Sequence, residues 1–166
     1  IWASATDFAG HRTQVSRSVT LTDVGVIRVK LDGDDNNSGL TWALSKKTVQ
    51  GGTDTAMDAN PHYEVWVAAG DYQCGDLIEY WPDGVAVYGG FTGSETAREQ
   101  RNWRVNETIV RQKVHMSGDP EPSYAVPAVI DGFTLRGDVQ CELDCVDYDI
   151  AIRHNTIFGT LEISGE

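Results

Sequence analysis

The sequence predicts an all-β fold: a right-handed parallel β-helix of about 20–24 residues per rung, with an N-terminal cap containing one short helix. Three observations carry that expectation. Short apolar runs recur through the second half of the chain: "YEVWVAAGDY" from 63, "GVAVYGGF" from 84, "ETIVRQKVHM" from 107, "AVIDGFTLRG" from 128, "AIRHNTIFG" from 151, then "LEISG". With Val65, Val85, Ile109, Val129 and Ala151 as markers the steps are 20, 24, 20 and 22 residues, a spacing that suits successive hairpins or stacked repeats. "VIDGFTLRG" and "AIRHNTIFG" superpose without gaps at an offset of 22, placing Ile130 on Ile152, Thr134 on Thr156, Leu135 on Ile157 and Gly137 on Gly159. Repeats stacked in register put like on like, whereas antiparallel hairpins have no reason to. Tight Asn-Gly and Asp-Gly turn signals are also scarce between the runs.

Residues 1–18 hold no sustained period and read as an arm. Residues 19–62 read as a capping region. In it Val19 and Leu21, then Ile27, Val29 and Leu31, alternate as strand residues do. "DGDDNNSG" is a loop by composition. "LTWALSKKTVQGG" fits one short helix, with Ser38 as N-cap, Leu40, Ala43 and Leu44 on one face and glycines at its end. From there the chain is expected to loop toward Tyr63. Residues 63–166 carry the rungs and stop in mid-pattern, as a piece of something longer would. An open first rung exposes apolar interior and unpaired edges, so Trp42 and Leu44, the Val19–Leu31 strands, or Trp2 and Phe8 of the arm are expected to cover it. In "GVAVYGGFTG" Val85 and Val87 should point inward, and Gly89-Gly90 should let the backbone turn. Phe91 should then pack back as Phe133 does two rungs on.

Composition narrows the partners. Net charge is −12, from 25 acidic and 13 basic residues. Such a surface repels phosphate backbones, which argues against nucleic acid, and tolerates cations and neutral glycans. No apolar run reaches the roughly 18 residues of a membrane span. The chain starts at Ile1 without a basic and then apolar leader, as a mature form or an excerpt would. Of the three cysteines, Cys74, Cys141 and Cys145, the last two sit close enough in "QCELDC" for a loop disulfide, with free thiols as the alternative. Zinc would need more ligands at suitable spacing.

Several stretches together resemble a known group. "NNSGLTW" (36–42), "VWVAAGDY" (65–72), "VYGGFTGSET" (87–96) and "QRNW" (100–103) are similar to the N-terminal part of secreted and cell-surface parallel β-helix repeat proteins. These are pectin-lyase-like in fold and include proteins similar to bacterial polymorphic outer-membrane proteins. The resemblance covers roughly residues 26–159. It implies an extracellular or cell-surface location and is specific for architecture more than for activity. "GGTDTAMDANPHYE" departs from the longer helix that usually leads into the "WVAAG" strand.

Candidate chemistry is sparse. A β-helix lyase needs carboxylates for calcium and a basic side chain to remove a proton. Asp131 and Arg153, at the same position of successive rungs, are the candidates with Asp147 and Asp149, beside Arg136, Asp138, Asp144 and His154 in the same region. The plainer reading of Asp131 and Arg153 is a cross-rung ion pair. "LDGDDNNSG" offers Asp32, Asp34, Asp35 and Asn37 as calcium ligands, against the plainer reading of an Asx-rich loop capping the helix near Leu40. Tyr80 and Trp81 before "PDG" read as an exposed aromatic tip suited to a sugar. The functional expectation is a non-enzymatic extracellular structural or binding module, a β-helical stalk or surface domain with no cofactor unless calcium. It would bind a glycan or another surface protein, or self-associate through a solenoid end or the arm. The alternative is the N-terminal fragment of a carbohydrate-active enzyme, a polysaccharide lyase or glycoside hydrolase.

Overall fold

A computed structural model of the protein describes residues 2–6, 12–16, 25–59, 63–73, 77–81, 85–117, 128–143 and 150–165, with backbone alone for 2–6, 12–16, 77–81, 117, 142–143 and 165. The fold is mostly β with parallel sheets and one α-helix. In the arm, β1 (Trp2–Thr6) and β2 (Arg12–Ser16) form an antiparallel pair. The first parallel sheet is ordered β3 (Val26–Val29), β4 (Glu64–Ala68), β7 (Ala86–Phe91), β10 (Ala128–Asp131), β13 (Ile150–Arg153). The second is ordered β5 (Gly70–Tyr72), β8 (Thr108–Val110), β11 (Thr134–Leu135), β14 (Thr156–Ile157). The third is ordered β6 (Leu77–Trp81), β9 (Lys113–Ser117), β12 (Val139–Leu143), β15 (Leu161–Gly165). Each stretch of chain from β4 onward therefore gives one strand to each sheet in turn.

Period-two alternation decides which side chains enter the core. In the first sheet Val65 pairs with Val87, Val87 with Ile130 and Ile130 with Ile152. The first three are fully buried. In the second sheet Tyr72, Val110 and Leu135 form the corresponding row, and in the third Val114 pairs with Val139 and Met116 with Cys141. Burial holds the Tyr72 phenol well above its ordinary pKa, and its hydroxyl donates to the carbonyl of Ala68 at 2.9 Å. The rows end in the open: Leu161 is 45% and Ile163 63% exposed, although Val139 and Cys141 beneath them are at most 1% exposed.

The offset of 22 holds: Asp131 pairs with Arg153, Thr134 with Thr156 and Leu135 with Ile157. The marker spacing does not. Ile109 lies in the second sheet, paired with Asp71 and Thr134, so the runs from 84 and 107 belong to one repeat. Along the first sheet the intervals from Val65 are 22, 43 and 22 residues, the long one reflecting residues 92–107 inserted between β7 and β8. Phe91 and Phe133 are accordingly one repeat apart, and they do different things. The extra residue at Gly89-Gly90 breaks the register between β4 and β7. Phe91 then stacks on Trp66 at 4.8 Å, while Phe133 joins the central core.

The capping region also differs from expectation. Around Leu40 there is only a 3₁₀ turn, Trp42–Leu44 capped by Thr41, with Leu40 and Leu44 about half exposed. The α-helix, α1, runs Val49–Met57 through the glycines expected to end it. Thr48 caps it by accepting from the N–H of Gly51, and Thr53 and Thr55 donate back to backbone carbonyls. Packing overrides the poor helix propensity of its glycines: a Cβ on Gly52 would lie 2.5 Å from Val29 Cγ2, so α1 sits directly on β3 and β4. Residues 19–24 of the expected strands, and Phe8, lie outside the described residues.

Gly90 has φ +92°, and a Cβ there would lie 2.5 Å from Trp103 Cα. Gly90→Val is expected to lower stability by about 2–4 kcal/mol, from left-handed strain and a backbone clash together. Urea unfolding would read this as a lower midpoint.

Candidate functional site

Residues 92–107 are the structural origin of the site. "TGSE" folds around its own carboxylate: Glu95, 7% exposed, accepts from the backbone N–H of Thr92, Gly93 and Ser94 at 2.7–3.0 Å. Burial works to raise the Glu95 pKa, but these donors and the Thr92 hydroxyl hold it below the usual carboxylate range. Trp42 donates its indole N–H to the Glu95 carbonyl at 2.8 Å. A 3₁₀ turn, Arg98–Gln100, then turns the chain over the first sheet.

What the loop covers is the outward row of that sheet, in which Arg28, Trp66, Tyr88, Asp131 and Arg153 are paired neighbours. Arg28 lies over Trp66 at 5.4 Å. Arg98 and Arg101 lie over Tyr88 at 4.7 and 5.1 Å. Arg98 also donates to Glu64 at 2.7 Å and to the Tyr88 hydroxyl at 2.9 Å. Arg101 pairs with the Asp131 carboxylate at 2.9 Å, with both side chains nearly buried, and donates to the carbonyls of Gly89 and Asp131. Buried polar groups thus meet partners, as a low dielectric demands.

At the far end of the loop the chain forms an open cleft of about 400 Å³, lined by Trp103, Arg104, Glu107, Thr134, His154 and Thr156 among others. His154 occupies the position that Gly132 holds one repeat earlier, and both have positive φ, +51° and +87°. It is the single non-glycine with positive φ among the described residues. A bulky side chain held in that region marks a site where something other than backbone comfort decides. The imidazole stacks on Trp103 at 4.8 Å and 25°, and its Nδ1 lies 3.0 Å from Asp131 Oδ1. Asn155 ties the same turn to the preceding repeat by accepting from the N–H of Phe133 and donating to the carbonyl of Ile130. Across the cleft Glu107 accepts from the Thr134 hydroxyl at 2.9 Å, and Arg104 lies over the Trp103 ring at 4.4 Å.

The structure brings two of the sequence candidates to this place. Asp131 is buried at its edge, and Arg153 is its backbone neighbour. The expected ion pair between them is replaced: the loop sets Arg101 over Asp131, whose carboxylate goes to Arg101 and His154, while Arg153 is exposed. Asp144, Asp147 and Asp149 lie outside the described residues. Arg136 lies over Phe158 at 5.0 Å, and Asp138 accepts from the N–H of Thr160, a turn contact. Tyr80 and Trp81 belong to β6, so their backbone is strand, and Pro82 to Gly84 lie outside the described residues.

The calcium candidates are engaged within the chain. Asp32 pairs with Lys30, Asp34 accepts from Asn36, and Asn37 donates to the Ser45 carbonyl. Asp35 accepts from the N–H groups of Lys47 and Thr48 and from the Thr48 hydroxyl. The Asx loop thus braces the start of α1, not a helix at Leu40. No group of three metal-capable side chains occurs among the described residues. Cys141 is a free thiol in the core, its pKa pushed up by burial, and Cys145 and Cys74 lie outside the described residues. Arg101, Arg104 and Glu107 were not singled out from sequence, and Thr134 and Thr156 stood out only as an aligned pair of the repeat, not as site residues. The available signal was the arginine-rich, tryptophan-bearing stretch "REQRNWR" falling between two apolar runs.

His154→Gly removes left-handed strain together with a ring stack and a hydrogen bond of similar size, so its melting midpoint is expected to stay within about 4 °C of the parent. Asp131→Ala leaves Arg101 nearly buried without its carboxylate and should cost about 3 kcal/mol or more. Calorimetric melts of the two variants read the contrast directly.

Comparison of the chain with protein-family models, with curated proteins and with solved structures gives no match.

Proposed function

We propose that this chain is a right-handed parallel β-helix module of a secreted or cell-surface protein, acting by binding rather than by turnover. The architectural reading is supported by three sheets that each take one parallel strand per repeat, with buried residues repeating in register. It is also supported by the absence of any α-helix among the described residues from β4 onward, since parallel pairs otherwise need long crossovers, usually helical. The resemblance at "VWVAAGDY", "VYGGFTGSET" and "QRNW" points to secreted and surface proteins. No helix among the described residues is long and apolar enough to cross a membrane.

The observation that carries the binding reading is how the carboxylates at the cleft are employed. Glu107, bonded through one oxygen to Thr134, is the one carboxylate among the described residues that lines the cleft, and the neighbouring Asp131 is held by Arg101 and His154. Glycoside hydrolysis calls for two carboxylates flanking a bond, and calcium-dependent elimination for carboxylates around a metal. A cleft of mixed donors and acceptors beside an aromatic ring suits a polar ligand such as a glycan.

Incubation with a panel of acidic and neutral polysaccharides tests this. The expected result is retardation in affinity electrophoresis without new reducing ends or unsaturated products. Product formation that His154→Ala abolishes would replace this reading with the carbohydrate-active enzyme.

A further inference from the structure

We infer that the cleft takes a small hydroxy-carboxylate, with the carboxylate on Arg104 and the hydroxyls on Glu107, Thr156 and His154; this rests on the binding role proposed above. The loop carries three arginines, Arg98, Arg101 and Arg104. Arg98 is bonded to Glu64 and Arg101 to Asp131, whereas Arg104 has no carboxylate partner among the described residues. It lines the cleft and lies over the Trp103 ring at 4.4 Å. That contact fixes the charge in place while leaving the N–H fork free to donate, because the ring face attracts the cation without accepting a directed hydrogen bond. A guanidinium held this way prefers a planar carboxylate, which it can grip with two parallel bonds.

The other lining groups set what must surround that carboxylate. Glu107 spends Oε1 on Thr134 and keeps Oε2 as an acceptor for a hydroxyl. Its own charge disfavours a second anion in the cleft, which selects a monoanion. His154 commits Nδ1 to Asp131, leaving Nε2 as the ring nitrogen for a ligand, and Thr156 adds an exposed hydroxyl. Asp131 is the positioning residue here: pinned by Arg101, it orients the imidazole. The volume, about 400 Å³, falls within the small-ligand range.

The same chemistry occurs in a uronic sugar and in an open-chain hydroxy acid, so the test uses both. Titrating the intact chain with glucuronate, gluconate and glucose, followed by amide shifts in NMR, should place the shifts at residues 103–108, 132–134 and 154–156. Glucose is expected to bind about tenfold or more weakly than a carboxylate ligand, and Arg104→Gln should weaken carboxylate binding by about tenfold while leaving glucose unchanged. Glucuronate ahead of gluconate identifies a sugar ring as the source, and the reverse order an open-chain acid. Arg104 is exposed, so an unchanged melting midpoint serves as the control that the variant is folded. Equal affinity for glucose and glucuronate, or carboxylate binding that survives Arg104→Gln, overturns the assignment. Absence of shifts with all three ligands up to about 20 mM, a weak-binding limit for a cleft of this kind, overturns it too. Polysaccharide retention in the electrophoretic assay would then still uphold the binding role, and its absence would remove both.

Discussion

The close approach of Trp103 to two glycines is the contact on which the rest of the site depends. A Cβ at Gly90 would fall 2.5 Å from Trp103 Cα, and one at Gly132 would fall 2.9 Å from Trp103 Cβ and 2.7 Å from the Arg101 guanidinium. Both glycines have positive φ, so an L side chain is disfavoured there twice over, by strain and by space. They form a seat for the loop, Gly90 within β7 and Gly132 just past the end of the neighbouring β10. Hydrogen bonds lock it: the N–H of Asn102 and the side-chain amide of Asn106 both donate to the Gly90 carbonyl. The next residue along that line is His154, and there the imidazole meets the indole instead of making way for it.

From that seat the chemistry of the outward face follows. Strand alternation sends Val65, Val87 and Ile130 inward and leaves Trp66, Tyr88 and Asp131 facing out. A one-residue slip would exchange the two sets, placing Asp131 in the core and valines outside. The outward row of aromatic and acidic groups would be poor surface if uncovered, and the loop covers it with arginines. Each cation–ring contact is worth about 0.5–2 kcal/mol, depending on its exposure. The Arg101–Asp131 pair adds specificity more than net stability, since desolvation offsets much of its attraction. What the pair secures is position: it fixes Asp131, and Asp131 fixes His154.

Local alternation and the match at an offset of 22 were legible in the sequence, because both are carried by side chains whose burial recurs strand by strand. Val85, Val87, Ile130 and Leu135 are all fully buried as their patterns imply. The repeat length between the second and third stretches was not legible, because the interval of 43 residues that carries 92–107 is close to two intervals of 22 and so mimics a regular spacing. α1 was misplaced because Gly52 makes room for Val29 and Gly51 for Asp35 rather than serving helix propensity, and pairwise packing leaves no local signal. Most of the site was illegible for the same kind of reason. Arg101 and Asp131 are 30 residues apart and Trp103 and His154 further still, so only the fold introduces them. Asp131 stood out because the repeat made its position comparable with Arg153. The structure keeps that backbone pairing and gives the carboxylate other partners.

The central claim is the long register step, in which residues 92–107 are extruded and β7 lies directly beside β10. Methyl–methyl nuclear Overhauser effects in a sample labelled at valine and isoleucine read it directly, because neighbouring strands lie about 4.8 Å apart. The account predicts a continuous series of contacts from Val65 to Val87, from Val87 to Ile130 and from Ile130 to Ile152. A strong contact between Val87 and Ile109, with none between Val87 and Ile130, would mean that the run from 107 is a repeat of its own. It would take the loop, its glycine seat and the cleft away together.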